Sequence, residues 1–456
     1  MQVGQGHFTP MKLRSLAFAA AWLLVSLVAG AALVPAWGAT DALTGFPVVA
    51  PEAVGFSTKR LERLDAAIQR TIDHQDFAGV VVMAARHGKL FLSRTYGERD
   101  TSVHDPIQKD TIMRLYSMSK PLTGVAMMIL YEEGKWSAQD PISKYIPEFS
   151  HLKVVKSFDA KGQPILEEPE HTPMMRELMT HTAGFAGGSG TTPQERLYQD
   201  GHGHNRIITA ANLQEMIDRL AQLPLIYQPG QAWYYGVSVE IQGYIIQKIS
   251  GESFPDYLKH HLFDPLQMKD SGFYVPAGKL GRFSPNYRRT DAGVLQLIPP
   301  QENLLGTFET PPTLPLGGGG MVSTAPDYLR FAQMLLAGGE LNGVRILGPE
   351  TIRMMSANHL APGLMTGQWG GGIHRMRPGL GFGFDFAVYT DPALADETTG
   401  KGTYLWIGAA GTCFWVDPTH DIVFVGMVQR MASDERPNLE ALTRQTFYQA
   451  LVRPEL

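Results

Sequence analysis

The chain has 456 residues, 44% of them hydrophobic and 18% charged, with a formal net charge of −5. That length is too great for one small core and fits about two domains or one large composite domain. The mild negative charge and the lack of any Lys/Arg run exclude a nucleic-acid role and point to a small-molecule partner. Cys413 is the only cysteine, which excludes an intrachain disulfide. Set between Thr412 and Phe414 in an apolar stretch, it reads as a small buried hydrophobe.

In chain order, Lys12 and Arg14 precede an apolar run over 16–34, and Ala36-Trp37-Gly38 then supplies the small residues a signal peptidase needs. Residues 1–38 are therefore expected to be a cleaved export signal, with Met11 as an alternative start. The mature protein is then periplasmic or secreted, with no stable membrane insertion. The rival is an uncleaved anchor, because about nineteen apolar residues just span a bilayer. No cysteine follows the run, so a lipoprotein anchor is excluded.

Ser57 caps a helix whose Leu61, Leu64, Ile68 and Ile72 share one face. Strands are predicted over 79–85 and 90–96, joined at His87-Gly88. Helices follow over 122–133, 211–220 and 237–249, the last ending at Ser250-Gly251. Between them lie long irregular segments, 184–203 and 284–315, of a length that tends to serve function. Strand signals return over 403–407, 412–416 and 421–429, and a closing amphipathic helix carries Leu439, Leu442, Phe447 and Leu451. Strands at both ends around a helical middle predict an α/β (α+β) fold. Its antiparallel sheet, flanked by helices, is built from both termini, and an all-helical lobe is inserted. Within a body over 40–456, the sheet subdomain takes about 50–115 and 316–456 and the lobe about 116–315.

The chemistry is carried first by Tyr116-Ser117-Met118-Ser119-Lys120-Pro121. Ser117 and Lys120 are three residues apart, so on a helix they share a face. A lysine there can take the serine proton and leave a nucleophilic alkoxide, which is acyl-transfer chemistry. Such a catalyst needs a proton shuttle and an oxyanion site. Pro229-Gly230-Gln231-Ala232-Trp233-Tyr234-Tyr235-Gly236 delivers phenols just ahead of a helix, the other aromatics serving as packing. Trp406-Ile407-Gly408-Ala409-Ala410-Gly411-Thr412 is a strand end followed by small residues whose N–H groups can face an oxyanion.

These residues give the chain a resemblance to the serine β-lactamase and penicillin-binding superfamily, whose signature begins S-x-x-K, and within it to the class C β-lactamase-like branch that includes family VIII-type esterases. Ser117-x-x-Lys120 matches the first element. Trp233-Tyr234-Tyr235-Gly236 is similar to the esterase form of the second and puts the catalytic phenol at Tyr235, with Tyr234 as the alternative register. The resemblance runs from about residue 54 to the C-terminus. It also takes in stretches at 178–185, 317–324, 342–347 and 381–384. It implies Ser117 as nucleophile, Lys120 and Tyr235 as proton carriers, and the N–H groups of Ser117 and Ala409 around the oxyanion.

Two departures bear on substrate. Trp406-Ile407-Gly408 stands where relatives carry K-T-G, removing the cation that helps hold a β-lactam or D-alanyl carboxylate. Val237 stands where many carry the Asn that binds an acylamide. A neutral ester is the expected substrate, with a β-lactam or D-amino-acid peptide as the rival and a catalytically silent binding protein as the further one. No metal or cofactor is implied. The glycines at 317–320 lack the Lys-Ser/Thr of a phosphate loop and are expected to allow close approach at the site wall. His202, His204, His260 and His261 are read as solvated, His181 as a structural hydrogen-bonding residue, and Asp417 as a turn former.

Overall fold

The computed structural model describes residues 38–456 apart from 189, 191, 291, 366–377 and 432–436, together with Met1, Gln2 and Gly4. The expected export signal therefore lies almost wholly outside the described residues. Among the described residues no helix is long and apolar enough to cross a membrane.

Eight strands form the main sheet. In chain order they are β1 (Gly79–Arg86), β2 (Lys89–Asp100), β3 (Asp105–Pro106), β4 (Leu380–Phe382), β5 (Ala387–Tyr389), β6 (Tyr404–Ile407), β7 (Cys413–Asp417) and β8 (Ile422–Val428). In space they run β4-β5-β6-β7-β8-β1-β2-β3, with antiparallel pairing at each described neighbour. The hairpin of β1 and β2 turns at His87 and Gly88, both at positive φ (53° and 68°), as a two-residue turn matched to strand twist requires. β1 is buried along its whole length because β8 closes its other edge, with Val80 opposite Val428 and Ala84 opposite Phe424. The sheet is thus built from both ends of the chain, as the strand pattern predicted.

Helices cover both faces. α1 (Thr58–Asp73) starts at Ser57, whose side chain accepts from the Arg60 N–H, and it buries Leu61, Leu64 and Ile68. It packs with the closing helix, Leu439–Tyr448. On that face Phe447 meets Trp415 at 5.9 Å. Tyr328, from the helix Ala325–Leu336, instead meets Phe414 at 5.0 Å. Phe414 and Trp415 are neighbours on one strand and point to opposite faces, so the two helices lie on opposite sides of the sheet. All residues of Ala325–Leu336 except Leu336 are buried, although Asp327, Arg330 and Gln333 recur at helical spacing. Its start is written more locally, in Thr324 accepting from the Asp327 N–H with Pro326 in the first turn.

The helices α2 (Ser119–Glu132) and α4 (Ser238–Ser250) pack together in the middle of the chain, with α3 (Leu213–Ala221) against α4. The stretch 116–315 is not all-helical as expected, since it also holds the antiparallel pairs Val154–Phe158 with Pro164–Glu167 and Tyr287–Arg289 with Leu295–Leu297. α4 ends where the sequence says, on Gly251 at φ 78°. α2 begins earlier than its apolar run, at Ser119. The preceding residues, Tyr116–Met118, form a separate 3₁₀ turn.

Candidate active site

The residues before Ser117 are fixed from two sides. Met113 and Arg114 pair with Ser323 and Val322, the Leu115 N–H donates to the Met321 carbonyl at 2.9 Å, and Thr412 Oγ1 donates to the Leu115 carbonyl at 3.2 Å. Between this anchor and α2, Tyr116 sits at φ 45°, a left-handed conformation costing on the order of 1–3 kcal/mol. Its surroundings hold it there. The phenol oxygen accepts from Asn286 at 3.2 Å, and Phe308 meets the ring edge-on at 6.0 Å. Ser117 therefore leaves the turn on a strained step and does not lie on the regular helix, although its spacing to Lys120 survives.

Lys120 is 5% exposed. Its Nζ donates to Ser117 Oγ at 3.3 Å and to the Gly318 carbonyl at 2.6 Å, and lies 4.6 Å from the centre of the Tyr235 ring. Ser119, the neighbouring hydroxyl, is fully buried and accepts from the Met321 N–H, so it is committed elsewhere. The glycine stretch at 317–320 passes over the start of α2 as a strap, with Thr123 Oγ1 donating to the Gly317 carbonyl at 2.9 Å. A Cβ on Gly318 would meet Glu240 Oε1 at 2.3 Å and Lys120 Nζ at 3.1 Å. The close approach expected of these glycines is present there.

Of the two phenols, Tyr235 is the one beside Lys120, and its hydroxyl is buried with no protein hydrogen-bond partner among the described residues. Tyr234 faces Glu195; burial first and that carboxylate second push its phenol far up. Trp233 stacks near Tyr235 at 6.2 Å. Trp406 packs its ring 5.5 Å from both Tyr235 and Phe382, and at 5% exposure it is part of the wall that fixes the phenol. Gly408 has a steric reason: a Cβ would meet the Leu115 carbonyl at 2.3 Å and Thr412 Oγ1 at 2.1 Å. Its lack of a side chain seats the end of β6 directly on the segment leading to Ser117. Ala409, half-buried at the tip of that turn, packs with the cluster containing Tyr116 and Phe308.

Three groups near Lys120 carry no clear signal in the sequence. His181 was expected to make a structural hydrogen bond; instead neither ring nitrogen has a protein partner among the described residues. Burial, and then the charge of Lys120, push it down to about 3, and its ring lies tilted 5.1 Å from Tyr235. Glu240, in the first turn of α4, accepts from the Gly318 N–H at 2.7 Å. Burial raises its carboxyl while Lys120 and the Gly318 and Gly317 N–H groups pull it back. Asp385, fully buried, accepts from Gln242 Nε2 at 3.2 Å. Burial holds its carboxyl well above the usual range against the pull of Gln242 and Lys120. Among the described residues, Asp385 Oδ2 and Gln242 Oε1 are both buried without a hydrogen-bond partner. A proton on Asp385 supplies the donor that this acid–amide pair lacks.

The other expectations divide. Cys413 is buried and free, and burial raises its thiol. His260 and His261 have a carboxylate after all, Glu252, at 2.9 and 2.8 Å. Asp417 is more than a turn former: as the last residue of β7 it is fully buried and accepts from Gly400, Thr419, His420 and the Tyr448 hydroxyl.

A helix-covered antiparallel sheet with a serine and a lysine in contact beside a buried phenol defines the serine-reactive class of β-lactamase-like folds. Residues 64–446 match the Beta-lactamase family model, and the chain belongs to that family. It is 34% identical over 375 residues to Protein Rv1367c of Mycobacterium tuberculosis, covering 81% of this chain and 90% of that protein. It is 28% identical over 372 residues to Esterase EstB of Burkholderia gladioli, covering 78% and 86%. Among solved structures, EstCE1, described as a hydrolase with promiscuous acyltransferase activity, superposes with a TM-score of 0.70 at 25% identity, over 85% of this chain and 98% of that one. The fold is shared with Simvastatin Synthase from Aspergillus terreus at a TM-score of 0.72 and 23% identity, over 88% and 99%. The chain is a serine hydrolase with esterase-type relatives.

Proposed function

We propose that this protein is an exported serine hydrolase that cleaves neutral carboxylic esters through an acyl-enzyme on Ser117. The observation that carries the reading is Lys120 Nζ held between Ser117 Oγ and the Gly318 carbonyl with the Tyr235 ring against it. Ser117 Oγ attacks the ester carbonyl and its proton passes to the Lys120–Tyr235 pair. The N–H groups of Ser117 and Ala409 receive the oxyanion. The C–O bond to the alcohol breaks, the leaving alkoxide takes the proton back from the pair, and water then releases the acid by the same steps in reverse order. The resemblance to Esterase EstB supports this substrate class. So does Trp406, an uncharged ring where carboxylate-binding relatives carry a lysine. Export rests on the basic and apolar pattern of residues 12–38.

The test is kcat/KM for p-nitrophenyl acetate and butyrate beside nitrocefin. A missing charge-assisted contact costs about 1.5–3 kcal/mol, so the β-lactam should lag by about ten- to a hundredfold for that reason alone. Nitrocefin turnover equal to or above the esters overturns the ester reading.

A further inference from the structure

An acid in the first turn of a helix has an ordinary explanation, since it complements the positive end of the helix dipole and can cap its own backbone. Glu240 does something else. Its Oε2 accepts from the N–H of Gly318, 78 residues away in sequence. The same Gly318 peptide unit region offers its carbonyl to Lys120 Nζ at 2.6 Å. The absent side chain of Gly318 leaves the space into which both charged groups reach: Glu240 Oε1 and Lys120 Nζ are the neighbours a Cβ would strike. One glycine thus joins the lysine to a carboxylate on a different helix.

We propose that Glu240 is a positioning residue for Lys120, fixing the strap whose carbonyl receives the amine and placing a negative charge beside it. This rests on the acyl-enzyme reading and adds the group that holds the strap against Lys120. The other titratable groups around Lys120 do not supply that charge. Burial and then Lys120 push His181 down to about 3, burial pushes the Asp385 carboxyl well above the usual carboxylate range, and Tyr235 and Ser117 are hydroxyl groups. Burial raises the Glu240 carboxyl too, but Lys120 and the N–H groups of Gly318 and Gly317 all pull it back towards the ionised form.

The experiment follows kcat/KM against pH for the wild type, Glu240→Gln, Glu240→Asp and Ser117→Ala, with fluorophosphonate labelling of Ser117 and thermal midpoints alongside. Glu240→Gln keeps an oxygen for the Gly318 N–H and removes the charge. Without that charge the neutral amine is favoured, so the acid limb of the profile moves to lower pH by at least about half a unit. Glu240→Asp keeps the charge one methylene short, and should leave the limb in place while lowering kcat about tenfold. A purely structural role lowers rate and thermal midpoint without moving the limb. An unshifted limb in Glu240→Gln, or an unchanged kcat in Glu240→Asp, overturns the proposal while Ser117→Ala remains inactive. Wild-type activity in Ser117→Ala would instead overturn the acyl-enzyme reading itself.

Discussion

Asp385→Asn tests the acid–amide pair and should make the protein more stable as the pH rises. The wild-type carboxyl is buried against α2, where a Cβ on Gly124 would meet Asp385 Oδ2 at 2.7 Å, and its folded pKa is raised well above the unfolded value. The folded state therefore keeps its proton at a pH where the unfolded state has lost it. By linkage the stability this group contributes is complete below the unfolded pKa, near 4, and falls by up to about 1.4 kcal/mol per pH unit until the folded pKa is passed. An asparagine amide offers Gln242 the same donor and acceptor with no proton to lose. The variant should match the wild type near pH 4 and gain on it at each higher pH. Differential scanning calorimetry at pH 4.5, 6 and 7.5 reads the gap between the two thermal midpoints. If Asp385 were instead an ionised partner of Lys120, the variant would lose a buried charge pair and fall about 3–5 kcal/mol below wild type at neutral pH. A gap that closes or reverses with rising pH refutes the neutral assignment.

Tyr235→Phe removes the unpaired hydroxyl beside Lys120 and should lower kcat by about a hundredfold or more, whereas Tyr234→Phe should cost far less; stopped-flow or steady-state ester hydrolysis ranks the two, and the reverse ranking would move the phenol one residue back. Protein recovered from the producing cell should begin close after Gly38, and N-terminal sequencing that returns an intact, membrane-bound start would favour the anchor.

Ser117 and Lys120 were legible because their spacing is local, whereas the Pro229-Gly230 turn offered three aromatics and only the resemblance of Trp233-Tyr234-Tyr235-Gly236 to the esterase motif singled out Tyr235, with Tyr234 as the alternative register. The departure of Ser117 from the regular helix was not legible, since the left-handed Tyr116 is imposed by Asn286 and Phe308 from a distant loop. Glu240 shows only as a first-turn acid. Its partner Gly318 is reached through the fold, as Gln242 is by Asp385. The helix Ala325–Leu336 does carry local signals, Thr324 and Pro326 at its start and Asp327, Arg330 and Gln333 at helical spacing.

The pairing of β1 with β8 also governs how the molecule comes into being. His87 and Asp421, hydrogen-bonded at the end of that ladder, are 334 residues apart in sequence, so the first hairpin must wait through nearly the whole length of synthesis or translocation with one edge unpaired. Loop closure over such a span is slow, and an open strand edge invites pairing with other chains. Chains that stop short of β8 would leave that edge bare, with the serine, lysine and phenol already made but the Gly408 turn that seats the serine segment resting on an unfinished sheet. The site is therefore completed late, when the C-terminal strands dock.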